Sequence, residues 1–386
     1  MSDPFLLEAS AVEPPPDTPA PAPLDTRRNR TEALLNIGLY LLCIGVALGL
    51  SALLIAVTGG PWRDVLSSLL DGSVRKPGRW GDTLAEAAPL LVVALGAIVS
   101  SRAGLVNIGQ EGQLLVGAAC MAFVATRATG PVMLVVALLV GVAGGAVWAG
   151  IAALLKYWRK VPEVITTLLL VFIASQLTGF MLTKQSLLLD RDPNRPNKTQ
   201  TSAQLAADTR LPMVRIFGNE FSIAVIVAFV LALVVAFVMA RTVWGFKLRM
   251  VGYNPSTAQR AGVSAVVAGS IALAVGGGLA GLSGGMMLAS GVANYRYTPG
   301  FANNVGWEGL LVALVARNRP LVAIPVAIVF GALRTGSGFL ASTGVQGEIV
   351  DVVRALLVLA LLIPPAVSFI RTRRRALRAT SAGQGA

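Results

Sequence analysis

Two stretches of this chain set carboxamides and a carboxylate between glycines in otherwise apolar surroundings. They read Asn107-Ile108-Gly109-Gln110-Glu111-Gly112-Gln113-Leu114 and Asn304-Val305-Gly306-Trp307-Glu308-Gly309-Leu310-Leu311, identical at five of eight positions. Glycine loosens a helix and lets the backbone come close to a ligand, while a charge at the centre of a bilayer costs roughly 3 kcal/mol on insertion scales. Glu111 and Glu308 are therefore expected against protein or a wet cavity. There they either line and brace a solute path or cap the backbone N–H groups of a broken helix. Around the second copy lie Tyr295, Tyr297, Phe301 and Asn303, with Gly291 and Gly300 nearby. Aromatic faces beside amide donors suit a flat or ring-shaped solute such as a base or a sugar; an aromatic belt at a membrane surface uses the same residue types. The candidate path residues are thus Asn107, Gln110, Glu111, Gln113, Tyr295, Tyr297, Phe301, Asn303, Asn304, Trp307 and Glu308.

Other chemistry is excluded by residues that are missing. None of the 386 residues is His, which removes the commonest general base and transition-metal ligand, and with it zinc hydrolases, haem sites and Ser-His-Asp triads. No metal and no cofactor are expected. Cys43 and Cys120 both fall in apolar runs, where cysteine acts as a small buried hydrophobe. Gly276-Gly277-Gly278-Leu279-Ala280-Gly281 matches a dinucleotide fingerprint by letters alone, because no strand precedes it. Gly277, Gly281 and Gly285 form instead a row of small residues suited to close helix packing. No G-x-x-x-x-G-K-[ST] loop occurs, so an ATP-driven step needs a separate chain. The net charge of +13 does not indicate nucleic acid, since the basic residues are spread over loops and tails without an aromatic-interleaved face.

The elements that position the two motifs follow from composition. With 55% hydrophobic and 13% charged residues, the apolar blocks have the length of about 20 residues that crosses a hydrocarbon layer. The expected fold is all-α, a polytopic membrane protein of about ten spans near 33–57, 84–100, 112–127, 131–155, 164–183, 221–240, 263–290, 305–316, 320–334 and 349–370. Residues 1–30 read as an acidic, Pro-rich cytoplasmic tail without a core, 31–370 as the transmembrane domain and 371–386 as a basic cytoplasmic tail; no signal-peptide pattern opens the chain. Arg27, Arg28 and Arg30 before the first span, and Arg371, Arg373, Arg374, Arg375 and Arg378 after the last, place both termini on the cytoplasmic side of a bacterial inner membrane. Segment 61–83, with Trp62, Val65, Leu66, Leu69 and Leu70 at helical spacing, suggests a short helix on the outer surface. After each motif copy a proline opens a span (Pro131, Pro320) and a glutamate opens the next (Glu163, Glu348). Two related four-span units result, spans 2–5 and 7–10. The third span leaves the cytoplasm and the eighth enters it, so the repeats are inverted, an arrangement transporters use.

One cytoplasmic segment, 241–262, carries a further signal: Asn254 is a good N-cap, Pro255 fits the first helical position, about two turns follow, and Gly262 can end them. A short capped helix there would suit docking of a soluble partner. With these residues in view, the chain resembles the permease subunits of ABC importers in the ribose-type branch (branched-chain amino acid, ribose and nucleoside), nearest to nucleoside permeases that work with basic-membrane-protein lipoproteins. The stretches that carry the resemblance are Arg102 to Leu114, Pro162 to Thr167, and Val251 to Pro255 followed by Ala258 and Ala261 to Val263, within about residues 33–370. The resemblance implies a second permease subunit, cytoplasmic ATP-binding subunits and an extracytoplasmic solute-binding lipoprotein. It also implies that the loop carrying Asn254, Pro255, Ala258, Arg260 and Gly262 inserts into the ATPase, and that the solute is a nucleoside, with simple sugars next. On the residues alone, an ion-coupled secondary transporter with Glu111 and Glu308 as ion sites is the alternative.

Overall fold

The computed structural model describes residues 26–59, 62, 65–190, 200–216, 218–341 and 345–383. Within them run α1 (Thr26–Val57), α2 (Val65–Leu70) with a π-helical turn (Asp71–Arg75), α3 (Arg79–Arg102), α4 (Gln110–Ala125), α5 (Pro131–Arg159), α6 (Glu163–Met181), strands β1 (Met213–Ile216) and β2 (Asn219–Ser222), α7 (Ala224–Arg241), α8 (Val243–Tyr253), α9 (Pro255–Arg260), α10 (Ala265–Ala289), α11 (Val305–Val315), α12 (Pro320–Ala341) and α13 (Gly347–Gly383). Seven of the described helices are long and apolar enough to cross a membrane. The fold is that of an all-α polytopic membrane protein.

Which helix lies inside follows from the pattern on each. Residues 87–100 of α3 are apolar on every side, and all are buried, as expected of a helix enclosed by others. The helices around it show small residues inward and large ones outward. On α5, Ala137, Gly141, Gly145, Ala149 and Ala153 are buried, while Val132, Val135, Leu139, Val147 and Leu154 are exposed. On α7, Ala224, Ala228 and Ala232 point inward and Val230, Leu233 and Phe237 outward. Lipid is as apolar as leucine, so close packing rather than hydrophobic burial selects the inner face. The row of small residues on α10 supplies the closest approach. A Cβ on Gly277 would strike the Gly145 carbonyl, one on Gly281 would strike Gly141, and one on Gly117 of α4 would strike Gly281. The glycine-rich hexapeptide is thus a crossing of α4, α5 and α10 within a helix.

Both motif copies begin short helices. By helix rise, α11 is about 16 Å long and α4 about 24 Å, less than the roughly 30 Å of a hydrocarbon core. The irregular segments before them, 103–109 and 290–304, mix buried residues such as Asn107, Tyr297 and Phe301 with exposed ones such as Val106, Pro299 and Asn303.

Several elements differ from the sequence reading. The stretch assigned to the start of the 221–240 span opens instead as β2, paired antiparallel with β1 in the register Met213 to Ser222 and Ile216 to Asn219. Segment 65–75 is helical, yet Val65 and Leu69 are buried against Leu340, Val345 and Ile349 rather than turned to a membrane surface. Trp62 is exposed; Leu66 lies outside the described side chains. The helix α1 begins at Thr26 and α13 ends at Gly383; the Pro-rich stretch itself lies outside the described residues.

Replacing Gly281 with valine should lower the stability of the detergent-purified protein by roughly 2 kcal/mol or more, the cost of overpacking a tight contact, read as a loss of thermal midpoint. The same change at Gly150, whose added Cβ meets nothing, should leave the midpoint in place.

Candidate functional site

The carboxylate of Glu111, in the first turn of α4, crosses to the other motif copy. Oε1 accepts the Asn304 N–H at 3.1 Å and Oε2 the Gly306 N–H at 2.6 Å. These donors start α11, where the first N–H groups have no carbonyl partner within the helix and the helix end carries partial positive charge. The Asn304 side chain makes no cap of its own, so Glu111 serves as a cap supplied by the other motif copy. Gly306 permits the approach, because a Cβ there would strike the Glu111 backbone. Asn303 and Asn304 hold left-handed φ values of 41° and 64°, which turn the chain into the cap.

The first copy is held differently. Asn107 and Gln113 exchange two amide hydrogen bonds, each 2.9 Å, and Asn107 Oδ1 also accepts the Gly109 N–H at 3.1 Å. The Ile108 N–H donates to Thr167 Oγ1 at 3.3 Å, which fixes the motif to α6. Gln110 is fully buried, and neither of its amide atoms has a partner among the described residues.

Glu308 enters a charged network. Arg334 on α12 donates through Nη1 to Glu308 Oε2 at 3.1 Å and to the Asn303 carbonyl at 3.1 Å, and through Nε to Glu86 Oε2 at 2.9 Å. Arg354 on α13 stands 3.6 Å from Glu308 and 3.2 Å from Asp351. Two carboxylates and two guanidinium groups thereby share one region of low exposure, the condition under which buried ions are tolerated.

A cavity of about 510 Å³ opens between α4, α6 and residues 297–304, with Glu111, Phe172, Ser175, Thr178, Tyr297, Asn303 and Asn304 among its walls. Tyr297 is braced from behind by Phe301, its ring stacked at 4.7 Å and 15°. A second cavity of about 540 Å³ is walled by Arg79, Glu86, Glu220, Tyr295 and Arg334, among others. Segment 290–304 contributes to both. It is tied down by the loop that follows α6: the Ser202 N–H donates to the Tyr297 carbonyl at 2.9 Å, Leu205 N–H to Tyr295 at 3.0 Å and Leu211 N–H to Ala289 at 3.0 Å. Arg296 pairs with Asp190 at 3.1 Å, and the Arg210 guanidinium covers the Tyr295 ring at 4.1 Å.

Of the expected path residues, Glu111, Tyr297, Asn303 and Asn304 thus meet in one cavity, Phe301 supports it, and Tyr295 lines the other. Asn107 is buried just before α4, Gln110 and Gln113 are buried near the start of α4, Glu308 sits in the ion network, and Trp307 is half-buried outside both linings. Glu86, Arg334 and Arg354 escaped the sequence reading, although each is a charge inside an expected span, which is itself a signal. At the opposite rim the expected cap is formed: Asn254 Oδ1 accepts the Thr257 N–H at 3.1 Å, Pro255 is the first residue of α9, Ala258 is fully buried, and Gly262 turns out with φ of 78°. Arg260 is exposed.

Arg334→Met leaves Glu86 without its guanidinium and Glu308 with Arg354 alone, and should cost about 3–5 kcal/mol of stability, measured by denaturant unfolding in detergent. Combining it with Glu308→Gln should recover part of that loss, giving a coupling that independent sites would lack.

Comparison with known families matches residues 81–362 to the family described as branched-chain amino acid transport system / permease component. The guanosine ABC transporter permease protein NupP of Bacillus subtilis is 30% identical over 341 residues, covering 87% of this chain and 95% of that one. The nucleoside ABC transporter permease protein NupB of Lactococcus lactis is 28% identical over 363 residues, 92% and 97% of the two chains. A glucose ABC transporter permease of Haloferax volcanii is 30% identical over 295 residues, 73% of this chain and 75% of its own. No solved structure matches the chain. With a helical membrane fold built around a braced, solute-sized cavity and a family match across most of its length, the chain belongs to the permease components of the branched-chain amino acid transport system family.

Proposed function

We propose that this permease moves nucleosides, and simple sugars as the second choice, into the cell through the cavity that joins the two motif copies. The observation that carries the reading is that cavity: at about 510 Å³ it falls in the size range of small-molecule sites, and it pairs the rings of Tyr297 and Phe172 with hydroxyl and amide groups. The names of the bacterial relatives support nucleosides, and that of the archaeal relative supports a sugar.

Ten crossings form the passage when α1, α4 and α11 are counted with the seven spanning helices, and the two motif-bearing units run in opposite directions. The rim with Lys156, Arg249, Arg260 and Arg317 faces the cytoplasm, as do both termini, and the rim with segment 290–304 and the β hairpin faces outward. A solute-binding lipoprotein delivers solute at the outer rim, a second permease subunit completes the membrane part, and ATP is hydrolysed on separate cytoplasmic subunits. The α9 helix, with Asn254, Pro255, Ala258, Arg260 and Gly262, receives their stroke. Glu111 and the Arg334 network fasten one unit to the other, and the passage opens when that fastening is rearranged. The ion-coupled alternative is weakened because Glu111 is engaged by backbone N–H groups and Glu308 by guanidinium groups.

Reconstituted with its ATPase and binding lipoprotein, the permease should take up labelled guanosine only when ATP is supplied; uptake driven by an ion gradient without ATP would overturn the reading. Glu111→Gln should lower uptake about ten-fold, the order expected from losing a charge-assisted cap, with membrane insertion intact. Arg260→Glu should reduce recovery of the ATPase on co-purification.

A further inference from the structure

At the end opposite the solute cavity, the C-termini of α3 and α8 meet the turn between α11 and α12 around a cavity of about 230 Å³. Its walls carry three guanidinium groups, Arg102, Arg249 and Arg317, together with Ser101, Tyr253 and Asn318. Arg102 is already committed, forking onto the Asn318 carbonyl at 2.8 and 3.1 Å. Arg249 and Arg317 are not: no carboxylate lines the cavity, and among the described residues neither has an ion-pair partner. Glu163, which opens α6, is taken by Lys156 at 2.6 Å. Like charges gathered around one space repel unless an anion lies between them, and the planar fork of arginine matches phosphate oxygens.

The same elements expose large apolar side chains. Val243 and Phe246 stand out from α8, Leu314 from the end of α11, and Leu321 from the start of α12. An occupant that joins a phosphate to hydrocarbon fits this juxtaposition better than an acidic peptide, which has no use for the apolar surround. Asn318 Oδ1 is buried without a partner and can accept from a headgroup hydroxyl. We propose that this cavity holds the phosphodiester of an anionic, hydroxyl-bearing phospholipid of the phosphatidylglycerol type in the cytoplasmic leaflet; the choice of leaflet rests on the sidedness given under Proposed function.

Native mass spectrometry of the full chain in detergent tests it, with phosphatidylglycerol and phosphatidylcholine as probes. Wild type should retain phosphatidylglycerol in preference to phosphatidylcholine, and Arg249→Gln/Arg317→Gln should retain about ten-fold less or lower still. The Arg249→Lys/Arg317→Lys variant keeps the charges and should keep most of the lipid, which separates loss of the site from loss of the fold. Equal retention by wild type and the glutamine variant would overturn the proposal. Release of the lipid by millimolar inorganic phosphate would reassign the cavity to free phosphate. Undiminished lipid with loss of co-purifying ATPase would make it a protein dock. Labelling of Tyr253→Cys by an impermeant maleimide, in inverted vesicles but not intact cells, checks the leaflet separately from the binding.

Discussion

The structure turns on one hydrogen-bonded contact, the Glu111 carboxylate against the backbone N–H groups of Asn304 and Gly306. A helix that starts inside a membrane exposes donors that water cannot reach, and each buried donor left bare costs about 1–3 kcal/mol. The Gly306 N–H at the start of α11 is buried, so its partner has to come from within the protein. A neutral amide brings one acceptor oxygen; a carboxylate brings two, and its charge meets the positive end of the helix. The price of a buried anion is thereby offset at the same place where the bare helix end is cured. Other features follow from this contact: the missing side chain at Gly306, the left-handed turn at Asn303 and Asn304, and the nearness of the two motif copies.

That the copies share letters does not give them one role. Seen from the chain alone, Glu111 and Glu308 are equivalent. In the fold, the first caps a helix and borders the 510 Å³ cavity, whereas the second is held by Arg334 and approached by Arg354. The first copy lies against α6 through Thr167, with neutral amide pairs beneath it; the second is bound by charges to α3, α12 and α13. Breaking the ionic contacts around Arg334 would leave buried charges uncompensated, a larger cost than parting the neutral amide pair of the first copy.

Features encoded by neighbouring residues were legible in the sequence. The proline starts of α5 and α12, the Asn254 cap of α9 and the small-residue row of α10 each rest on contacts or geometry that a few consecutive residues determine. Features set by distant partners were not. Nothing near Glu111 indicates that its donors lie almost two hundred positions away, and nothing near Glu308 names Arg334. The β hairpin was absorbed into an apolar run because Phe221 and Ser222 continue directly into α7, and α8 was read as loop because its aromatic and basic residues lack a long apolar stripe. Charges inside expected spans, Glu86 and Arg334 among them, were the one long-range signal that could have been read locally, since such residues have to find partners.

The distribution of packing also says which parts can move. At the crossing of α4, α5 and α10, backbone meets backbone through glycines, and contacts of that kind have no slack: a shift of one helix collides with the next. Segment 290–304 is built differently. It is irregular, it borders a cavity on each side, and it combines core contacts of Tyr297, Phe301 and Ala302 with hydrogen bonds from residues 202–211 and the Arg296–Asp190 pair. The polar ties can be exchanged for water, which backbone packed on backbone does not allow. A glycine-packed centre beside a wall with re-formable polar ties leaves that wall less constrained than the helices that define the depth of the cavity.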